Sequence, residues 1–143
     1  MSRVRSKARS WALCTLFAWE TRGGTEPLGG FVGRFVKERR VAPERVPYIR
    51  TLVETVASHL PEIDEQVQGA LLNWRLERLS AIDRNVLRLG AAELLYLPDV
   101  PPRVAIQEAI LLAEKFGTMQ SARFVNGVLD ALMRGAAAAR EAP

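Results

Sequence analysis

SAIDRNVLRLGAAELLYL, residues 80–97, is the stretch on which the fold turns. Ser80 followed three residues later by Asp83 is a capping-box start to a helix. Beyond it, apolar side chains occupy most of the helical circumference, which places this helix at the centre of its half of the protein. Glu93, in an otherwise apolar run, reads as a buried carboxylate tied by hydrogen bonds.

Working outward, Pro98, Pro101 and Pro102 end this helix and start another, with Ile106, Ala109, Ile110, Ala113 and Phe116 inward and Gly117 as its stop. A last helix from about Ser121 carries Val125, Val128, Leu129 and Leu132, and the alanine-rich tail from Gly135 is expected to fray. Upstream, Pro61 suits the first turn of a helix whose stripe is Ile63, Val67, Leu71 and Trp74, with Glu62, Asp64 and Glu65 at the positive end of its dipole. A helix from about Glu44 to Leu60 precedes it, with Ile49, Leu52, Val53, Val56 and Leu60 inward and Pro47 tolerated in its first turn. Phe31, Val32, Phe35 and Val36 mark a shorter one ending before Pro43. The first helix spans about Val4 to Glu20, with Val4, Ala8, Trp11, Ala12, Thr15, Leu16 and Trp19 on one face, and stops at Thr21–Gly24. Period-2 alternation with hairpin turns is missing. The reading is an all-α single domain of about seven helices in two packed three-helix-type bundles. The N-terminal bundle covers about residues 3–60 and the C-terminal one about 61–134, with a tail at 135–143.

The chain has 143 residues, 48% hydrophobic and 25% charged, enough for an ordinary core without disulfides. No apolar run approaches the roughly 20 residues needed to span a bilayer, and no signal peptide precedes the first helix, so a cytoplasmic protein is expected. Charge is unevenly spread. Residues 1–50 hold 11 Lys/Arg against 4 Asp/Glu, residues 51–100 hold 4 against 8, and the remainder 5 against 4. A basic first third suits a polyanion partner, although solvated faces explain such charges equally well.

Catalysis needs a constellation, and none can be assembled. His59 is the only histidine and falls in the last turn of its helix, where it reads as a partly exposed capping residue. Cys14 is the only cysteine and has no partner for nucleophilic, redox or disulfide chemistry. Carboxylates form no metal-ligand or acid/base pattern, and phosphate-binding glycine loops do not occur. A non-enzymatic protein without cofactor or metal is expected.

The first helix is more informative. At 100° per residue, the face opposite the apolar stripe carries Arg3, Ser6, Ser10, Leu13 and Phe17. Phe17 therefore points outward on the helix that also bears Arg3, Arg5, Lys7 and Arg9. An exposed ring beside guanidinium groups suits single-stranded nucleic acid, with bases stacking while cations neutralise phosphates. Packing of Phe17 under the glycine-rich loop or another helix remains open. In the last helix, Phe124 lies at the margin of the stripe and Arg123 and Asn126 face outward. Gly127 costs that helix about 1 kcal/mol relative to alanine, so a helix or an RNA strand should approach it closely.

LERLSAIDRNVLRLGAAEL (76–94) resembles the central helix of NusB proteins. DVPPRVAIQEAI (99–110), AEKFG (113–117) and RFVNGVLD (123–130) resemble that family's C-terminal signature. Arg5-Ser6-Lys7-Ala8-Arg9 and LFAW (16–19) also match, so the similarity runs in order from about residue 3 to 134.

This resemblance implies an all-α protein that binds the boxA element of ribosomal RNA leader transcripts jointly with the small-subunit ribosomal protein NusE. It would thereby help the RNA polymerase elongation complex resist termination. By matching position, the RNA-contacting surface falls on the basic segment (Arg3, Arg5, Lys7, Arg9), Phe17, Asp83, and Phe124 with its neighbours Arg123 and Asn126. The chain departs from the family pattern at several points. Phe17 stands where tyrosine is common, which keeps stacking but loses the hydroxyl. Gln107 replaces an asparagine, Ala92 an aromatic residue, and the basic arm is short.

Two other readings compete. One is a helical protein-interaction module whose acidic middle third meets a basic protein. The other is the NusB-like domain of ribosomal RNA methyltransferases, against which the lack of a Rossmann-type segment before Pro143 argues. Self-association as a homodimer through the RNA-binding face is a further expectation of the resemblance.

Overall fold

Ser80 starts its helix as the sequence requires: its Oγ accepts from the Asp83 amide at 3.1 Å, and α4 (Ala81–Tyr96) follows. In the computed structural model, which describes residues 2–141 and side chains through Gly135, every α4 residue from Asn85 to Glu93 is buried. Around α4 stand α1 (Arg3–Thr21), α3 (Val46–Ala70), α5 (Pro102–Phe116) and α6 (Ser121–Glu141), all packed against it. α2 (Leu28–Glu38) closes the far side of α1 and α3. One continuous apolar core runs from Ala8 through Ile49, Val67 and Leu87 to Leu132. Gly90 is what lets α4 and α6 approach so closely, because a Cβ there would lie 2.6 Å from Leu129 Cδ1.

The described residues are all-α as expected, but with six α-helices and two short 3-10 turns, Pro43–Arg45 and Leu76–Arg78, in place of about seven helices. The difference lies at Pro61. Its missing N–H and its ring disturb only the preceding turn, so α3 continues through the expected junction with a kink at His59 (φ −127°, ψ 21°). The His59 ring stacks on Tyr96, centroids 3.8 Å apart, which ties the bend to the end of α4.

Three further positions differ. α3 ends at Ala70, so Trp74 leaves the expected stripe for a loop, where it is 60% exposed. Leu13, assigned to the outward face of α1, is buried, since α1 is covered by α2, α3, α4 and α5 over a wider arc than one stripe. Val4, expected inward, is exposed in the first turn. Past Gly135, where fraying is expected, the α6 backbone stays helical to Glu141; Ala142 and Pro143 lie outside the described residues. Gly127 has open space around it, so among the described residues no helix makes the close approach expected there.

Candidate nucleic-acid interface

The basic arm divides into exposed and internal charges. Arg3 and Lys7 are exposed, whereas Arg5 lies 4.4 Å over the Tyr48 ring and donates to Asp99 Oδ2 at 3.0 Å. Arg9, expected among the RNA contacts, is buried and committed to the interior. Its Nε donates to Glu93 Oε2 at 2.9 Å and its Nη1 to Glu108 Oε1 at 2.8 Å. The reason is its place on α1 beside Ala8 and Ala12, the residues pressed against the core. Glu93 also accepts from the Tyr48 hydroxyl, and Ser6 Oγ donates to Glu108. Burial pushes the Glu93 carboxyl above its ordinary range although Arg9 and Tyr48 pull the other way, and burial beside Glu93 raises the Tyr48 phenol strongly. Glu93 is thus the hydrogen-bonded buried carboxylate its surroundings suggest.

Phe17, 39% exposed, forms one wall of a groove of about 460 Å³ between α1, α2 and the facing ends of α4 and α5. Cys14, Phe35, Ile82 and Phe116 line it, with Arg22 and Arg39 at its sides. Both guanidiniums lie over aromatic rings, Arg22 5.4 Å from Phe31 and Arg39 4.8 Å from Phe35. An arginine held over a ring can keep its donors free at the edge for phosphate oxygens. Burial holds the Cys14 thiol above its usual pKa despite Lys115 and Arg39 nearby, so at neutral pH it stays a neutral wall residue.

Asp83 and Phe124 meet in a second cavity, of about 280 Å³, together with Trp74, Arg78, Ser80 and Gln120. Ile82 lines the first cavity and Asp83, the next residue at the start of α4, lines the second. Phe124 is half-buried, with one side against the core and the other lining the cavity. Arg123 and Asn126 are exposed on the outer side of α6 and are not brought into either cavity.

The arginines of α4 serve the fold. Arg88 is buried, with Nε donating to Asp64 Oδ1 at 2.9 Å and Nη1 to Glu20 Oε2 at 2.7 Å. Arg84 pairs with Glu20 and donates to the Leu79 carbonyl at 2.8 Å, pinning the turn before α4. Burial alone would raise the Glu20 carboxyl, but hydrogen bonds from Arg84 and Arg88 outweigh it and hold its pKa below the usual carboxylate range.

Sequence reasoning passed over Arg22, Arg39 and Trp74. Arg39, at the end of α2, flanks Phe17 only through the packing of α2 on α1, which leaves no local signal, whereas Arg22 caps α1 itself five residues beyond Phe17 and lay within reach of a local reading. For Trp74 a signal existed: Asn73 and Arg75 flank it, a poor setting for a core position.

Fold and surface together define a small all-helical protein presenting a basic, aromatic-lined face. The model of the NusB family matches residues 6–134. The transcription antitermination protein NusB of Sorangium cellulosum (strain So ce56) is 46% identical over 127 residues, covering 89% of each chain. Among solved structures, T. maritima NusB superposes with a TM-score of 0.83 at 35% identity, over 94% of this chain and 93% of that one. A structure of the antitermination factors NusB and NusE in complex with dsRNA gives a TM-score of 0.83 at 33% identity, over 94% of this chain and 99% of its counterpart. The chain belongs to the NusB family.

Proposed function

We propose that this protein is a non-enzymatic transcription antitermination factor that binds boxA-type single-stranded RNA together with the ribosomal protein NusE. In this reading it acts in the cytoplasm within the RNA polymerase elongation complex. The observation that carries the reading is Phe17: a 39% exposed ring over an apolar groove with Arg22 and Arg39 beside it. Such a groove offers stacking to bases and donors to phosphates at once. Family membership supports it, since relatives carry the antitermination name and one solved relative is bound to NusE and RNA. Arg3, Lys7, Phe17, Asp83, Arg123, Phe124 and Asn126 are the proposed contacts, with Arg22 and Arg39 added. Arg5 takes part only if Asp99 releases it. The N-terminal bundle (about 3–60) supplies the basic arm and Phe17, and the C-terminal bundle (about 61–134) supplies Asp83 and Phe124, so the strand crosses their junction.

The test is a titration of fluorescein-labelled boxA-type RNA with the protein, alone and with NusE, at two salt concentrations and against a scrambled strand. Selective binding that strengthens with NusE and weakens with salt is expected, because each phosphate contact releases counterions. Equal binding to both strands reduces the protein to a general polyanion binder. No binding under any condition overturns the reading in favour of a protein-interaction module. Light scattering with and without RNA tests self-association through the same face.

A further inference from the structure

The first third of the chain presents positive charge at two places. Within the N-terminal arm Arg9 is buried between Glu93 and Glu108 and Arg5 is tied to Asp99, which leaves Arg3 and Lys7. The stretch from Arg22 to Arg45 holds six Lys/Arg against three Asp/Glu, and one of those carboxylates, Glu26, is taken by Arg34. Arg22, Lys37, Arg39 and Arg40 are exposed, and among the described residues none of them forms an ion pair.

Packing at the end of α2 holds these guanidiniums in place. Arg39 caps α2 and lies over Phe35, while Arg22, the cap of α1, lies over Phe31. The two rings stack on each other with centroids 6.0 Å apart, and both arginines line the groove beside Phe17. Arg40 follows with φ 53°, the only positive φ outside glycine among the described residues. Its amide donates to the Lys37 carbonyl and the Val41 amide to the Val36 carbonyl, each at 3.1 Å, which closes the helix end. Glycine usually fills this position, because a side chain there crowds the backbone. A cation near the last carbonyls complements the helix dipole, which accounts for Lys37 and Arg39. The dipole does not call for a further arginine at a glycine position. Residues 37–40 keep three cations against the single carboxylate of Glu38. By helical spacing Arg39 stands about 40° round α2 from Phe35 and Lys37 about 200°, so Arg39 shares the groove side and Lys37 faces away.

We propose that Arg39 and Arg40, with Arg22 beside them, form a landing for the phosphate backbone of nucleotides flanking the boxA-type element. The RNA then leaves the Phe17 groove over the end of α2. This rests on the RNA-binding reading above and adds a second contact to it. That contact is independent of sequence, because phosphate contacts position a strand without reading its bases.

The experiment uses the full chain, alone and with NusE, and three labelled strands. One is the boxA-type element by itself, and the others carry about six added uridines at its 5′ or its 3′ end. Affinities are read by anisotropy over a range of salt. One of the two extended strands should bind about fivefold more tightly at about 0.1 M salt. Its slope of log affinity against log salt should steepen by about 0.7, the share of one phosphate contact on a single strand. Cytidines in place of the added uridines should give the same gain. Arg40→Gly should remove the gain and leave affinity for the short element as it was. Glycine suits the backbone there, so the melting temperature of this variant should hold, which separates lost charge from lost structure. Arg40→Lys should keep the gain. Lys37→Gln removes the same charge from the opposite face of α2 and should leave all three strands unaffected.

The proposal is overturned if neither extension tightens binding, if the gain depends on the added base, or if it survives Arg40→Gly. It is also overturned if Lys37→Gln erases the gain as fully as Arg40→Gly does. In each of these cases selective binding of the short element leaves the RNA reading standing. Failure of wild type to bind any strand, with or without NusE, removes both.

Discussion

Arg9 of α1 donates from Nε to Oε2 of Glu93 on α4 across 2.9 Å, with neither side chain more than 4% exposed. Glu108 on α5 takes a second donor of the same guanidinium at 2.8 Å, so one buried cation on α1 holds two buried carboxylates and joins three helices. Because the desolvation of all three groups is already incurred on folding, removing the cation strands two charges rather than merely losing a bond.

Arg9→Met should therefore destabilise the protein by roughly 3–5 kcal/mol, lowering the melting temperature by about 10 °C or more. Lys7→Ala, two residues earlier and exposed, should change stability by less than about 0.5 kcal/mol while weakening RNA binding. Thermal melts of the two variants check this. An Arg9→Met protein that melts like wild type yet loses RNA affinity would return Arg9 to the binding surface.

Phe17→Ala should lower RNA affinity about tenfold with little change in melting, because the ring is already 39% exposed. Phe17→Tyr should retain binding, since stacking needs the ring and not the hydroxyl. Lys7→Ala should act through charge instead, reducing the slope of log affinity against log salt by about one phosphate contact. Salt titrations of the variants side by side separate stacking from neutralisation.

Cys14 makes the groove observable without mutation. It is the only cysteine and lines the cavity beside Phe17. A thiol-reactive dye should label it slowly, because burial keeps the thiol protonated. Bound RNA should slow labelling further, and scrambled RNA should not. Unchanged labelling under saturating RNA would move the strand off this groove.

Glu20 gives a pH dependence of known sign. Its folded pKa is depressed by Arg84 and Arg88, so the unfolded state binds the proton more readily. Its contribution is complete above the ordinary glutamate value of about 4.3 and is lost as pH falls through the lower folded value. Urea midpoints measured across the acid range should thus fall less steeply for Glu20→Gln than for wild type.

How much of this was legible in the sequence depends on the range of the interaction. The α4 cap at Ser80, the burial of Glu93 and the proline-marked start of α5 follow from residues within one turn, and local rules read them. The kink at His59 was read as a break because proline's effect depends on whether its neighbours bury the bend, and Tyr96, far along the chain, does so. Arg9 was misplaced for a related reason. Its carboxylate partners lie on α4 and α5, and a helical wheel of α1 shows only that a basic residue sits near the apolar edge. Phe17 was read as outward and is exposed, but the groove beneath it is assembled from four helices, and Arg39 reaches it only through tertiary packing.

Two glycines on facing helices should respond to the same substitution with opposite signs. At Gly90 a Cβ would meet Leu129 Cδ1 at 2.6 Å and Cδ2 at 3.2 Å. Leu129 is fully buried, so it has nowhere to turn, and Gly90→Ala should destabilise by about 1–3 kcal/mol through overpacking of α4 against α6. At Gly127 nothing lies within 4 Å, and alanine should add the helix propensity that glycine lacks, stabilising by up to about 1 kcal/mol. If the strand passes over this exposed turn of α6, the added methyl should also weaken RNA binding, so stability and affinity move in opposite directions. A Gly127→Ala variant that gains stability and keeps full affinity would place the RNA path away from Asn126 and Gly127, leaving Phe124 as the contact that α6 supplies.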